Sequence, residues 1–146
     1  AETGFDVLTH AVEAYVSKGS GSISDLYARE AFSCAYAHLP ASFAGRKEVR
    51  LKVHLASTMA GMAFSQSGLG MCHALSHSLG GIFHIPHGRA NAMLLPHIIE
   101  YNSETVRLNC RNKIVKFSGT DLSIMADTIE HITVSGNILS LEFCSL

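Results

Sequence analysis

The stretch Gly70-Met71-Cys72-His73-Ala74-Leu75-Ser76-His77-Ser78-Leu79-Gly80-Gly81-Ile82-Phe83-His84-Ile85-Pro86-His87-Gly88 decides how this chain is read. Four histidines fall inside it and no carboxylate does. His73 and His77 are four residues apart, so a helix projects both imidazoles from one face, one turn above the other. Gly80-Gly81 is expected to let the chain leave that helix. Pro86 stiffens the approach to His87 and favours an extended Ile85. A histidine helix, a glycine break and a returning loop that delivers another histidine can surround a metal ion, for which neutral imidazole is the commonest ligand.

The anionic ligand that this stretch lacks is available upstream, in Asp6-Val7-Leu8-Thr9-His10. Asp6 and His10 are again four apart. One carboxylate and three imidazoles suit a divalent first-row metal such as iron or zinc. Taken alone, Asp6 reads equally as an acid favoured by a helix N-terminus. His73 and His77 read equally as buried histidines bonded to carbonyls. The two motifs together weigh toward a metal, because several histidines near an apolar core are costly unless paired or metal-bound. Spacing leaves two ligand sets open. Asp6, His10, His73 and His77 form two i,i+4 pairs; Asp6, His10, His73 and His87 leave His77 free to act on substrate. His84 and His97 also compete, whereas His38, His54 and His131 read as ordinary helix residues. Cys72 points about 100° away from His73 on a helix and receives no role.

Around these motifs the chain reads as all-α. A helix from about Gly4 to Val16 is capped by Thr3, with Phe5, Leu8, Val12 and Tyr15 at helical spacing. A second, with Ser24 or Asp25 as cap, runs through Leu39 and stops at Pro40. A third runs from near Arg46 to about Ser65, and the small apolar run Ala56 to Phe64 marks it as buried on all sides. After the histidine helix come Asn91 to Tyr101, with Pro96 as a kink or first turn, then Ser103 to Phe117 and Asp121 to Ile132. Residues 133–146 show no clear period and read as an irregular tail. No repeat, low-complexity tract or strand series is visible.

Composition bounds the rest. The 146 residues are 47% hydrophobic and 16% charged, which fits one domain with extensive burial and excludes a disordered chain. The net charge of −1 comes without a basic stripe, so nucleic-acid binding has no electrostatic support. No apolar run approaches the roughly 18–20 residues that span a bilayer. The chain starts at Ala1-Glu2-Thr3-Gly4 with no visible targeting signal, and reads as a processed or truncated product. Cys34, Cys72, Cys110 and Cys144 are dispersed and read as reduced thiols of a cytoplasmic protein. No GxGxxG or GxxxxGK[ST] pattern and no serine nucleophile elbow is present, so a nucleotide cofactor must be held largely from outside this chain.

The motifs resemble the iron-containing (group III) alcohol dehydrogenases. The resemblance rests on Asp6-Val7-Leu8-Thr9-His10-Ala11-Val12-Glu13-Ala14-Tyr15, Gly68-Leu69-Gly70, His73-Ala74-Leu75-Ser76-His77-Ser78-Leu79-Gly80 and Pro86-His87-Gly88-Arg89-Ala90-Asn91-Ala92. It is specific in order and spacing over residues 1–102 and weaker to about Ile132. It implies the helical, dehydroquinate synthase-like C-terminal domain of that family, present here as a single partial domain without the N-terminal dinucleotide-binding domain. It implies that Asp6, His10, His73 and His87 hold Fe2+ or Zn2+, and that His77 lies beside nicotinamide and substrate to handle a proton. The implied reaction is NAD(P)-dependent interconversion of small alcohols with aldehydes or ketones, with the isolated chain inactive. Apolar surface meant for absent helices predicts association into a homo-oligomer. The alternatives are a zinc polyol dehydrogenase or dehydroquinate synthase relative, and a non-catalytic helical remnant with a structural metal site.

Overall fold

Five α-helices follow one another in the computed structural model, which describes the backbone of residues 2–109 and the side chains of residues 2–102. They are α1 (Glu2–Val16), α2 (Ser22–Phe43), α3 (Arg50–Ser67, entered through a short 3₁₀ turn at Lys47–Val49), α4 (Met71–Phe83) and α5 (His87–Asn109). No strand occurs among the described residues, as the all-α reading requires. The expected helix Asp121–Ile132, the end of the Ser103–Phe117 helix, the tail 133–146, Cys110, Cys144 and His131 lie outside the described residues.

Helix ends depart from expectation for identifiable reasons. α1 begins at Glu2, so Thr3 lies inside it, and the acid in the first turn suits the helix dipole. Ser24 serves α2 from its third position. It accepts the Gly21 N–H at 2.8 Å, and its hydroxyl reaches the Gly21 carbonyl at 3.0 Å. Pro40 does not stop α2. It has no N–H to give the Tyr36 carbonyl, but its own carbonyl accepts from Ala44 at 3.0 Å, and the helix runs on to Phe43.

The largest differences lie around the histidine stretch. α4 passes through Gly80 and Gly81 and ends at Phe83. The exit is made by His84, which adopts left-handed backbone angles (φ 56°, ψ 29°) and donates its N–H to the Gly80 carbonyl at 3.0 Å. His87 itself arrives already helical. The Pro86 carbonyl accepts the N–H groups of Arg89 and Ala90 at 2.9 and 3.0 Å, and His87 is the first residue of α5. α5 is continuous through Pro96, where two helices were expected.

Packing divides at α1. On one side lie α2 and α3, which run antiparallel: Ala28 shares a cluster with Ala63, and Cys34 reaches Lys52. Their seam with α1 is made of alanines. Ala14, Ala28 and Ala63 meet at its centre, flanked by Tyr15, Tyr27 and Phe64. Side chains this small let helix axes approach closely. α3 is buried on one face only, through Val53, Ala56, Ala60 and Ala63; Leu51, Leu55 and Met62 are exposed, contrary to the expected all-round burial. On the other side α5 lies along α1, and α4 packs on α5. Gly88 makes the α1–α5 approach possible, since a Cβ there would stand 2.1 Å from the Glu2 carbonyl oxygen. Arg89 fastens the same end by donating to Glu2 at 2.6 and 2.9 Å. No described helix is long and apolar enough to cross a membrane.

Candidate metal centre

The α1–α5 register sets Asp6 opposite the start of α5, and α4 brings His73 between them. Asp6 Oδ1 lies 3.5 Å from His10 Nδ1, 3.5 Å from His73 Nε2 and 3.4 Å from His87 Nε2. Ligands bonded tetrahedrally at ~2.1 Å are separated by about 3.4 Å, so these spacings fit donors around one ion. Asp6, His73 and His87 each offer an atom within 4.8 Å of the other two. His10 belongs to the same cluster but stands a step aside. Its ring stacks on Phe64 at 4.5 Å and lies 4.2 Å from the His73 ring. One carboxylate oxygen with imidazole nitrogens, and no thiolate among the converging atoms, is a donor set for iron or zinc.

His77, one turn after His73, is exposed, with its ring 4.8 Å from that of His87 and 6.4 Å from that of His73. It stands beside His87 at the edge of the cluster. His84 is the exposed cap of α4, and His97 is exposed on α5. His38 bonds the Cys34 carbonyl at 2.8 Å and faces Lys52 Nζ at 3.2 Å, within the α2–α3 pair.

Two residues to which the sequence assigns no part organise the cluster. Glu13, 3% exposed, receives the backbone N–H groups of Gly70 (3.0 Å), Cys72 (2.7 Å) and His73 (3.3 Å) at the start of α4. Its Oε2 also lies 2.7 Å from His73 Nδ1. Asn91, fully buried, donates from Nδ2 to Asp6 Oδ1 at 2.7 Å; the same nitrogen stands 3.3 Å from His73 Nε2 and 3.1 Å from His87 Nε2. Its amide orientation follows from its neighbours. Ser76 Oγ and the Cys72 thiol (3.6 Å) donate to Oδ1, while Asp6 can only accept. Cys72, read from sequence as pointing away, thus helps to hold that amide.

The charges support one another. Burial opposes ionisation of Asp6, but the His73 hydrogen bond and the nearby histidine charges outweigh it and hold the carboxyl below its ordinary range. Burial also acts against Glu13, and the bonds from His73, Gly70 and Cys72 lower it overall. For His73 burial is again overcome, here by hydrogen bonds to Asp6 and Glu13, which push it up to about 9. Burial lowers His10 and His87, and burial together with the Glu13 charge raises the Cys72 thiol to about 12. Without metal, the Asp6 and Glu13 carboxylates therefore favour the protonated form of His73.

The site stands in a recognisable lineage. The C-terminal region of the Fe-containing alcohol dehydrogenase family matches residues 1–134. The chain is 50% identical over 109 residues to 1-propanol dehydrogenase PduQ of Citrobacter freundii, covering 73% of this chain and 30% of that one. It is 44% identical over 135 residues to the NADPH-dependent butanol dehydrogenase of Clostridium saccharobutylicum, covering 92% and 34%. A crystal structure of 1,3-propanediol oxidoreductase superposes with a TM-score of 0.75 at 36% identity, over 95% of this chain and 39% of that one. An iron-containing alcohol dehydrogenase from Thermococcus thioreducens gives 0.76, also at 36% identity, over 91% and 35%. This chain spans about a third of the length of these relatives. By sequence and by fold it belongs to the C-terminal, helical part of the Fe-containing alcohol dehydrogenase family.

Proposed function

We propose that this chain is the metal-binding helical part of an NAD(P)-dependent alcohol dehydrogenase that interconverts small alcohols with aldehydes or ketones. The observation that carries the reading is the convergence of Asp6, His73 and His87, with His10 beside them, in a chain of this family. Asp6, His10, His73 and His87 hold one divalent ion, Fe2+ or Zn2+. Such an ion, when bound, polarises a carbonyl oxygen or lowers the pKa of an alcohol. Asp6 supplies the anionic donor, oriented by the Asn91 amide. His73 and His87 offer Nε2, each held on a helix rather than a loop, which limits how far the ring can drift. His77, exposed and next to His87, exchanges a proton between substrate oxygen and solvent through a ring nitrogen. The nicotinamide that takes or gives hydride is held by sequence outside these 146 residues, and one relative is named NADPH-dependent. The exposed Leu51, Leu55, Met62, Ile82 and Phe83 support self-association, and the free Cys34 and Cys72 a reducing, cytoplasmic setting.

The test is to load the purified chain with Fe2+ or Zn2+ and count ions, then add NADH and a short aldehyde. One ion per chain, lost in Asp6→Ala, with no NADH oxidation by the chain alone, is the expected result. A chain that binds no ion is a helical remnant, and turnover by the chain alone overturns the division of labour.

A further inference from the structure

Glu13 takes no part in the reaction as proposed, yet it is among the most completely bonded side chains of the cluster. A carboxylate buried this deeply is costly unless its lone pairs are used, and here both oxygens are. Oε1 accepts from Cys72 N–H, and Oε2 from Gly70 N–H, His73 N–H and the ring of His73. The backbone contacts lie in the first turn of α4, where unpaired N–H groups and the positive end of the helix dipole favour an anion. Gly70 permits the approach, because a Cβ at that position would stand 2.7 Å from Glu13 Oε1.

The ring contact reaches further than helix capping. An imidazole with one proton places it on one nitrogen or the other, and a neighbouring carboxylate at 2.7 Å claims it for Nδ1. That leaves Nε2 facing Asp6, 3.5 Å away, as the nitrogen whose proton an ion would displace. The same carboxylate therefore fixes where α4 starts and which nitrogen of its histidine faces the metal centre. Asp6, His10 and Glu13 follow one another at i, i+4 and i+7 on one stripe of α1. The helix that carries two proposed ligands thus also carries the group that orients a third.

We infer that Glu13 is a positioning residue of the metal centre, acting through His73 by holding its proton on Nδ1 and its Nε2 toward the ion. The inference rests on the metal site proposed above. Carboxylates so placed raise ligand basicity, and losing them weakens metal affinity by roughly 10–100-fold.

The test uses the whole chain and Co2+ or Zn2+, read by competition with a chromophoric chelator and by the Co2+ absorption spectrum. Glu13→Gln keeps the shape but removes the charge. It should bind Co2+ about 10–100-fold more weakly, with an altered spectrum and helical circular dichroism retained. Wild-type affinity and an unchanged spectrum in Glu13→Gln would reduce Glu13 to a helix cap and overturn the inference. Should that variant fail to fold, nitrogen-15 NMR of the Zn2+-loaded wild type decides. An exchange-protected proton on His73 Nδ1 with Nε2 coordinated is the expected result, and coordination through Nδ1 overturns it. A wild type that binds neither ion overturns the metal site itself, an outcome separate from a wild type that binds and a Glu13→Gln variant that binds equally well.

Discussion

The two faces of α1 are built on opposite terms. Toward α2 and α3 it presents Ala14 to Ala28 and Ala63, side chains with nothing to satisfy and little to orient. Toward α4 and α5 it presents Asp6 and Glu13, with His10 at the border between Phe64 and His73, and the buried partners His73, Ser76 and Asn91 are all hydrogen-bonded. Close packing specifies the first face by shape, and any methylene too many is felt. Bonding specifies the second, where each polar atom lost leaves another buried and unpaired. One face should therefore govern whether the chain folds, and the other what it binds.

The sharpest way to separate them is to remove a ligand from the polar face. His73→Ala should weaken metal affinity by well over the roughly 100-fold expected for a supporting residue. The helical circular dichroism should persist, and simultaneous loss of the fold would mean that the faces are not independent. His77→Ala is the contrasting change one turn later. It should leave the metal bound, while in the intact enzyme turnover falls by roughly 10²–10⁴-fold if His77 handles the proton. An emptied site in His77→Ala, with a full one in His87→Ala, would exchange their assignments.

The alanine face is probed by overpacking. Ala63→Leu adds volume where there is none and should cost about 1–3 kcal/mol in denaturant unfolding, with Co2+ affinity unchanged. A selective loss of metal with unchanged stability would reverse the comparison. A further effect is expected from pH in the metal-free chain. His73 is raised to about 9 from an ordinary 6.5, so its stabilising contribution is complete below 6.5 and is lost as pH climbs through 9. Asp6 and Glu13 are lowered, so theirs is present above their ordinary values and is lost as pH falls. Thermal midpoints without metal should decline between pH 6.5 and 9, and His73→Gln should flatten that decline. Across the same window metal affinity should rise, since the ion must displace the His73 proton.

Much of this was legible in the residues. The DxxxH and HxxxH spacings placed Asp6, His10 and His73 on helical faces, and periodicity gave the helices that carry them. Glu13 carries a fainter signal: it continues the Asp6–His10 stripe by a further turn, as an acid amid Ala11, Val12 and Ala14. The part played by Asn91 is masked by the start of α5. With α5 read as starting at Asn91, its i,i+4 relation to His87 disappears, because Pro86 looks like loop rather than the residue before a first turn. The exit at His84 has only a weak signal, the modest enrichment of histidine among non-glycine residues in left-handed geometry. Left-handed geometry at a non-glycine residue is set by the path the chain must take to α5, and local sequence does not encode that path.

Asp6 and His87 stand 81 positions apart (87 − 6) and still come within 3.4 Å. An ion held by both closes a loop through most of the described chain, spanning α2, α3 and α4. Joining ends that distant removes chain entropy only weakly dependent on loop length, so the ion acts as a removable cross-link. At a free concentration 100 times its dissociation constant it should add about 2.7 kcal/mol to global stability. Supply of metal would then set the lifetime of the folded chain as well as its chemistry.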